Sequence, residues 1–438
     1  MSRAAAFAPA SRRWWAAVAV AAVTVAVLAG PLAERSTAAT LTVSDADGYW
    51  DAITAINDVH CGSGPHTITI DDSFSLTTDD VDYTCADDLT VRGASTDTTI
   101  SGASAPDTRF LRSTDPDANI TVDSLAFTDI TTSATVDYSG GAILTTGALA
   151  LDNVHVSAVD IAGTGTVYGG AAHAVAGLTV SDSTFADITL SSTSSDESAG
   201  GGAISTFGEV MVTDSTFTDI TNQSTSYSYG GAIYAQAGAD ITASRFTRVE
   251  LDGVNEAFGG AVYVNAGGAT VSDSNFTDNS VDATMDGNGG ALYVSSGDTT
   301  INDSEFTGNR ALAGDYAGGG AIHADGQVSA TDAVFTDNAS ISTVANEYSD
   351  AGAILAASVV LTRSEFTDNA TEAADWAYGG AVYVTTDFTA VDSTFSGNTA
   401  TGSQQADGGA FGSAQGPFTI ERSEFTDNAA ISDDDPRG

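Results

Sequence analysis

The sequence predicts an all-β chain wound as a single parallel β-helix, and three observations carry that prediction. A Gly-Gly-Ala element, Ala-Gly-Ala in the copy at Gly352, recurs with its central residue at Gly141, Gly170, Gly202, Gly231, Gly260, Gly290, Gly320, Gly352, Gly380 and Gly409, in steps of 28 to 32 residues. A second anchor keeps phase with it at Phe127, Val156, Phe185, Phe217, Phe246, Phe276, Phe306, Phe335, Phe366, Phe395 and Phe425. Between the anchors lie runs of Val, Ile, Thr, Tyr and Phe bounded by Gly, Asp, Asn and Ser, without the apolar stripes that helical repeats need. Proline is almost absent from 120 to 430, as expected where each strand donates to neighbours on both sides. A unit of about thirty residues cannot bury its own apolar face, so the units stack, each ~4.8 Å above the last.

The elements follow in chain order. Residues 1–39 read as a secretory signal peptide. Arg3, Arg12 and Arg13 precede an apolar run from Trp14 to about Leu28, and small residues end near Ala39. The run is short for a membrane anchor, and "SRRWW" leaves both the general and the twin-arginine export routes open. Residues 40–118 form an N-terminal cap and irregular first coils. In "DADGYWDAITAINDVHCG", Trp50, Ile53 and Ile56 fall at helical spacing and predict a short amphipathic helix over the first rung. Cys61 and Cys85 are the two cysteines; in an exported chain they predict a disulfide, 24 residues apart and near one coil in length. Residues 119–430 are the repeat coils, and 431–438 an acidic tail.

Within the repeats, the column one residue after Gly-Gly-Ala is apolar in every copy: Ile143, Ala172, Ile204, Ile233, Val262, Leu292, Ile322, Ile354, Val382 and Phe411. It is assigned inward. The next column is mixed, from Leu144 and His173 to Tyr383 and Gly412, and is assigned outward. Three residues after the Phe anchor, Ile130, Val159, Ile188, Ile220 and Val249 give way to Asn279, Asn309, Asn338, Asn369, Asn398 and Asn428. That change predicts an aliphatic stack that becomes a structural asparagine ladder.

Composition narrows the function. The net charge is −45, there is no lysine, and losing four arginines and one glutamate with the signal peptide takes it to about −48. Such a surface excludes nucleic acid and anionic lipid as partners, because both demand clustered cations. After signal cleavage no stretch is suited to direct membrane insertion. No catalytic residue and no dedicated metal site is assigned. Lyase chemistry on acidic polysaccharide needs a cationic base, and nine scattered arginines supply none. Of a polygalacturonase-like set ("NTD", "DD", "GHG", "RIK") only "DD" occurs. An extracellular polysaccharide-active enzyme, glycoside hydrolase or lyase-like, stays the alternative, because such sites assemble from distant coils. Aspartates two residues after the anchor (Asp129, Asp187, Asp219, Asp278, Asp337, Asp368, Asp427) make a like-charged column interrupted at Arg248, Gly308 and Gly397, for which calcium is a candidate ligand and a solvated edge the plainer reading. The candidate ligand-binding stripe is Tyr234, Tyr263, Tyr293, His323 and Tyr383, whose ring faces could stack on a cell-surface glycan or anchor a protein; a tyrosine ladder that only stiffens the sheet is the competing reading.

The paired motifs "GGAVYV" with "STFSGN" and "GGALYV" with "SEFTGN" resemble the repeats of chlamydial polymorphic outer membrane proteins and of the wider class of bacterial surface β-helix proteins, over roughly residues 120 to 430. "WDAITAIND" followed by "TITID" is similar to the opening of such proteins. The resemblance implies a right-handed β-helix, secreted or displayed at the cell surface, acting in adhesion, ligand binding or as a structural scaffold. The chlamydial members carry an autotransporter barrel that this sequence lacks, so the resemblance assigns no mode of attachment.

Overall fold

Each pass of the chain lays down strands on three parallel faces, and the pass through residues 227–253 shows how. Tyr227–Tyr229 lies on the third sheet, a glycine corner turns the chain onto Ile233–Ala235 and Ala239–Thr242 of the first, and Arg245–Gly253 follows on the second. The next pass repeats the path in register, pairing Ile233 with Val262, Phe246 with Phe276 and Tyr229 with Phe258. The computed structural model describes residues 37–438 except 78–80, 104–106, 196, 433–435 and 438; the signal-peptide reading lies outside these residues apart from its last three. They form a parallel β-solenoid of about 13 turns with one short helix near the N-terminus.

The inward assignment follows from the pairing. Ile143, Ala172, Ile204, Ile233, Val262, Leu292, Ile322, Ile354 and Val382 are all buried in one continuous core, with Phe411 half-buried against it. Successive Phe anchors stack face to face, with Phe217–Phe246, Phe276–Phe306 and Phe366–Phe395 all at 4.8 Å between ring centres and within 7° of parallel. That spacing is the interstrand distance, so the backbone ladder sets the ring stack. A fully buried Phe contributes roughly 1.5 to 3 kcal/mol over an exposed one.

At the N-terminal end, Thr40–Val43 pairs with His66–Ile70 before the helix is reached, so the cap begins with a strand. The helix Ala46–Ala55 starts where Asp45 accepts the Gly48 amide at 2.8 Å, and it runs on as a wider π turn over Ile56–His60. Its buried face carries Tyr49, Trp50 and Ile53, and Ile56 follows in the π turn. Tyr49 stacks on Phe110 at 4.7 Å, and Phe110 meets Phe127 edge-on at 5.0 Å, so the helix supplies the terminal ring of the aromatic column. The Cys61–Cys85 disulfide ties the end of the π turn to a later coil. Beside it, Asp87 accepts the amides of Gly62 and Ser63 at 2.7 and 3.0 Å and faces His66 Nε2 at 3.1 Å. Burial alone would raise its pKa, but these hydrogen bonds outweigh burial and hold it below the usual carboxylate range. At the other end, Pro436–Arg437 adds a strand to the third sheet, so part of the acidic tail continues the solenoid.

Two turn columns explain residues that periodicity alone marks only as polar. Asp129, Ala158, Asp187, Asp219, Arg248, Asp278, Asp337, Asp368 and Asp427 all sit at φ between 52° and 55°, and Gly308 and Gly397 share the same left-handed conformation. This is a correction to the charge reading of that column. Asp and Gly recur because the backbone demands a residue that tolerates positive φ, and the glycines are the least costly occupants rather than charge breaks. Arg248 does act on charge: its guanidinium forks onto Asp219 through Nε at 2.7 Å and Nη2 at 2.8 Å. A second left-handed column precedes the second sheet, and there Arg363 and Arg422 fork in the same way onto Asp332 and Asp392 of the preceding coil.

The asparagine column is a ladder in geometry. Asn338 Oδ1 accepts from the backbone and side-chain nitrogens of Asn309 at 3.0 and 2.9 Å, while its own amide donates to Phe306 O at 2.8 Å and Asn369 Oδ1 at 2.9 Å. Because each Asn backbone N–H goes to a side-chain oxygen, the nine-residue strand of earlier coils divides in two, as in Asn275–Thr277 and Ser280–Ala283. A serine ladder lies two residues before the Phe anchor: Ser215 Oγ accepts from Ser183 N, Ser244 Oγ from Ser215 N and Ser274 Oγ from Ser244 N, at 3.1 to 3.2 Å. Periodicity carried that signal too, in the repeated Ser of "DSTF", "DSNF" and "DSEF", and the sequence reading passed over it.

Candidate functional site: the corner between the first and third sheets

The glycine corner is what brings two side-chain columns together on the outside of the solenoid. At Gly230 φ is +60°, and a β-carbon on Gly231 would stand 1.9 Å from the carbonyl oxygen of Gly260 in the next coil. The first glycine supplies the left-handed turn and the second the close approach. The turn is tight enough for the last residues of the third-sheet strands to lie over the outward column of the first sheet. That column faces away from the core and is nevertheless largely covered: Tyr234 and Tyr263 are only 8% and 7% exposed, and His173, Ser205 and Leu355 are also buried. Tyr229 packs on Tyr263 at 5.0 Å, Phe258 on Tyr293 at 5.0 Å and Tyr168 on Tyr234 at 5.2 Å.

This changes the role of the tyrosine stripe. Tyr234, Tyr263 and Tyr293 lie ring on ring at 5.5 Å and within 7° of parallel, so the faces they turn to one another are closed to a sugar ring. Their pairing is dictated by strand register. The Tyr234 and Tyr263 hydroxyls donate to Gln236 Oε1 at 2.5 Å and to Asn265 Oδ1 at 3.1 Å. Burial pushes all three phenols well above their ordinary range. At the N-terminal end of the corner His173 is held neutral by burial and the Arg109 charge, its pKa pushed down to about 4. Exposed surface remains on Tyr293, His323 and Tyr383, towards the C-terminal half.

There the column departs from its repeat. The residue before the corner is Tyr229, Phe258, Asn288, Gly318, Asp350, Tyr378 and Asp407 in successive coils, and the left-handed glycine that follows is replaced once, by Ala351 at φ +57°. Asp350 lines a cleft of about 180 Å³ with Tyr316, His323, Asp325, Leu355 and Tyr383. Asp350 is 6% exposed; Oδ2 accepts the Tyr316 hydroxyl at 3.1 Å, and Oδ1 is buried with no hydrogen-bond partner. Burial pushes the Asp350 carboxyl up to about 7, although the Tyr316 hydrogen bond acts the other way. His323 sits between Asn288 Oδ1, 3.1 Å from Nδ1, and Asp325 Oδ1, 3.4 Å from Nε2. The structure therefore brings His323 and Tyr383 of the sequence-assigned stripe to one cleft and leaves Tyr234 and Tyr263 in a buried ladder. Asp350 and Tyr316 escaped the sequence reading, although Ser-Asp-Ala-Gly-Ala in place of Gly-Gly-Gly-Ala was the visible signal.

Among the described residues, the grouping of His, Cys, Asp or Glu side chains close enough to share an ion is Cys61, Cys85 and Asp87, and both sulfurs there are committed to the disulfide. No helix of the described residues is long and apolar enough to cross a membrane.

Residues 303–325 match the family model of the Chlamydia polymorphic membrane protein repeat. No curated protein and no solved structure matches the chain. The matched stretch runs from the serine ladder through Phe306 and Asn309 to the glycine corner and His323, one full set of the anchors described above. Neighbouring coils hold those anchors in the same register, so the chain is a parallel β-helix whose repeat unit is similar to that of the polymorphic membrane proteins.

Proposed function

We propose that this is an exported, cell-surface β-helix that binds without catalysis, presenting the corner between its first and third sheets to a glycan or protein of another surface. The observation that carries the reading is the corner itself. Ladders of Phe, Asn and Ser are spent inside the solenoid, whereas His323, Tyr293 and Tyr383 stand half-exposed along a backbone that needs no reordering to bind. A polymorphic membrane protein repeat is in keeping with display at a surface, and the signal-peptide pattern with export. The test is binding of the chain from residue 40 onward to glycan arrays and to intact cells, with Tyr293→Ala and Tyr383→Ala as variants. Both should lose roughly tenfold or more in affinity if the corner is the contact surface. Retained binding in both would move recognition elsewhere.

Asp350 favours one second reading, the polysaccharide-active enzyme. A carboxyl that keeps its proton to about pH 7 in a cleft is what a general acid requires, and Asp325 lines the same cleft as a second carboxylate. Release of reducing ends from neutral polysaccharides, lost in Asp350→Asn, would support it. Their absence across a broad substrate panel would leave binding as the reading.

A further inference from the structure

We infer that the Asp350 cleft is a receptor for an organic ammonium group, seated over the buried carboxylate and against the tyrosines around it. The inference rests on the reading of the corner as the binding surface and names the chemistry its C-terminal half would take.

The lining selects for positive charge. Asp350 and Asp325 supply two carboxylates, Tyr316 and Tyr383 two rings, and no arginine lines the cleft in a chain that has no lysine. Outside the lining, Tyr348 packs on Tyr316 with ring centres 4.7 Å apart. Carboxylate beneath and aromatic walls around is the chemistry that holds ammonium cations, through charge and ring quadrupole together. An anionic ligand would meet a chain of net charge −45 and, His323 apart, no basic side chain in the cleft. A neutral ligand brings no counter-charge to the buried carboxylate. The shielded Oδ1 is no obstacle, because attraction between a carboxylate and a cation seated above it needs no direct hydrogen bond. The cleft volume of about 180 Å³ suits a small headgroup such as choline or the amino end of a hexosamine.

The structure also shows what shapes the site at this coil. Gly318, one coil before Asp350, leaves open the space where a side chain would strike the Tyr316 hydroxyl at 2.9 Å and Leu355 at 2.7 Å. Tyr316 can therefore reach forward to Asp350. The groups around the carboxylate are Tyr348 on its own strand, Tyr316 before the preceding third-sheet strand, His323 and Asp325 on Ile322–Thr331, Tyr383 on Val382–Val384, and Tyr378 on the following coil, with Asp407 one coil further. None but His323 can bring positive charge, so an ammonium ligand would be the main counter-ion. Its arrival would drive Asp350 to release its proton.

The experiment is titration calorimetry of the chain from residue 40 onward at pH 6, with choline and glucosamine as cations and 3,3-dimethylbutanol and N-acetylglucosamine as their neutral counterparts, repeated in buffers of different ionisation heat. Expected are saturable binding of at least one cation, roughly tenfold weaker or absent binding of its neutral counterpart, and release of close to one proton per site. Preference for choline over glucosamine or the reverse identifies the source. Asp350→Asn, a near-isosteric change, should abolish both the binding and the proton release, and Tyr383→Leu should weaken binding with the proton release retained. Equal affinity for the neutral counterparts, undiminished binding in Asp350→Asn, or no heat from either cation up to 10 mM overturns the inference. Array or cell binding that is lost in Tyr293→Ala yet kept in Asp350→Asn would overturn it while leaving the corner as the binding surface.

Discussion

Replacing Asn338 by Ala tests the physical claim that the C-terminal coils are held by a buried polar ladder as much as by their core. Asn338 is fully buried and uses its whole side-chain capacity: two bonds accepted from Asn309, one donated to Phe306 O and one to Asn369 Oδ1. Alanine leaves the Asn309 backbone N–H and one Asn309 side-chain hydrogen without partners and takes one of two donors from the Phe306 carbonyl, which stays in the strand ladder, while Asn369 Oδ1 keeps the backbone donor of residue 338. Each orphaned buried group costs about 1–3 kcal/mol, so the substitution should cost about 4 kcal/mol after local relaxation. Asn428, at the open end of the ladder, is half-buried, donates to Phe395 O and accepts from Asn398. Water can replace it there, and Ala should cost about 1 kcal/mol. A solenoid loses structure locally, so a single global unfolding energy is the wrong observable. Hydrogen exchange read by mass spectrometry over residues 305–313 should accelerate roughly a thousandfold in Asn338→Ala, with much smaller change over 120–250. A cost below 1 kcal/mol at that segment, or equal effects of Asn338→Ala and Asn428→Ala, would refute the reasoning.

Three other outcomes follow from the same geometry. Phe306→Ala, in mid-stack between Phe276 and Phe335, should cost about 3–5 kcal/mol by local hydrogen exchange, and Phe425→Ala, 37% exposed at the last rung, markedly less. Gly231→Ala should disrupt the corner outright, since its β-carbon would meet Gly260 O at 1.9 Å, whereas Ala351→Gly should gain about 1 kcal/mol by relieving a left-handed alanine at no steric cost; limited proteolysis around 225–262 and 345–382 reads both. The Asp350 carboxyl is raised in the folded state from its ordinary 3.8 to about 7, so its burial costs nothing below about pH 4, costs progressively more from pH 4 to 7, and is constant above. Asp350→Asn should match the parent at pH 4 and exceed it by up to about 4 kcal/mol at pH 8, seen in the local stability of residues 345–360, and a pH-independent difference would show that the carboxyl titrates normally.

How far the sequence disclosed this molecule depends on whether a residue obeys the repeat or breaks it. The Phe stack, the inward column and the Ile-to-Asn change at 279 were legible because each recurs ten or so times in register, and a stacked geometry turns recurrence directly into contact. The cap helix was legible from Trp50, Ile53 and Ile56, but the strand before it was not, because four residues of Thr-Leu-Thr-Val carry too little pattern to separate from a loop. The turn columns were misread for a different reason. Aspartate suits both a charged edge and a left-handed turn, and only φ distinguishes them; Ala158 and Arg248 in that column show that conformation, not charge, is what the position demands. The tyrosine stripe failed as a set of open ring faces because alternation along a strand tells which way a side chain points, not whether the next sheet folds over it. Recurrence therefore marks what every coil needs in order to stack, and by the same logic it cannot mark recognition, which has to happen at one place. Ala351 is the one departure from a column of left-handed glycines, and it adjoins Asp350, so one coil carries both a buried carboxylate and a strained alanine. A substitution in a repeat that is paid for twice and gives nothing to the stack is where selection for a ligand would leave its trace.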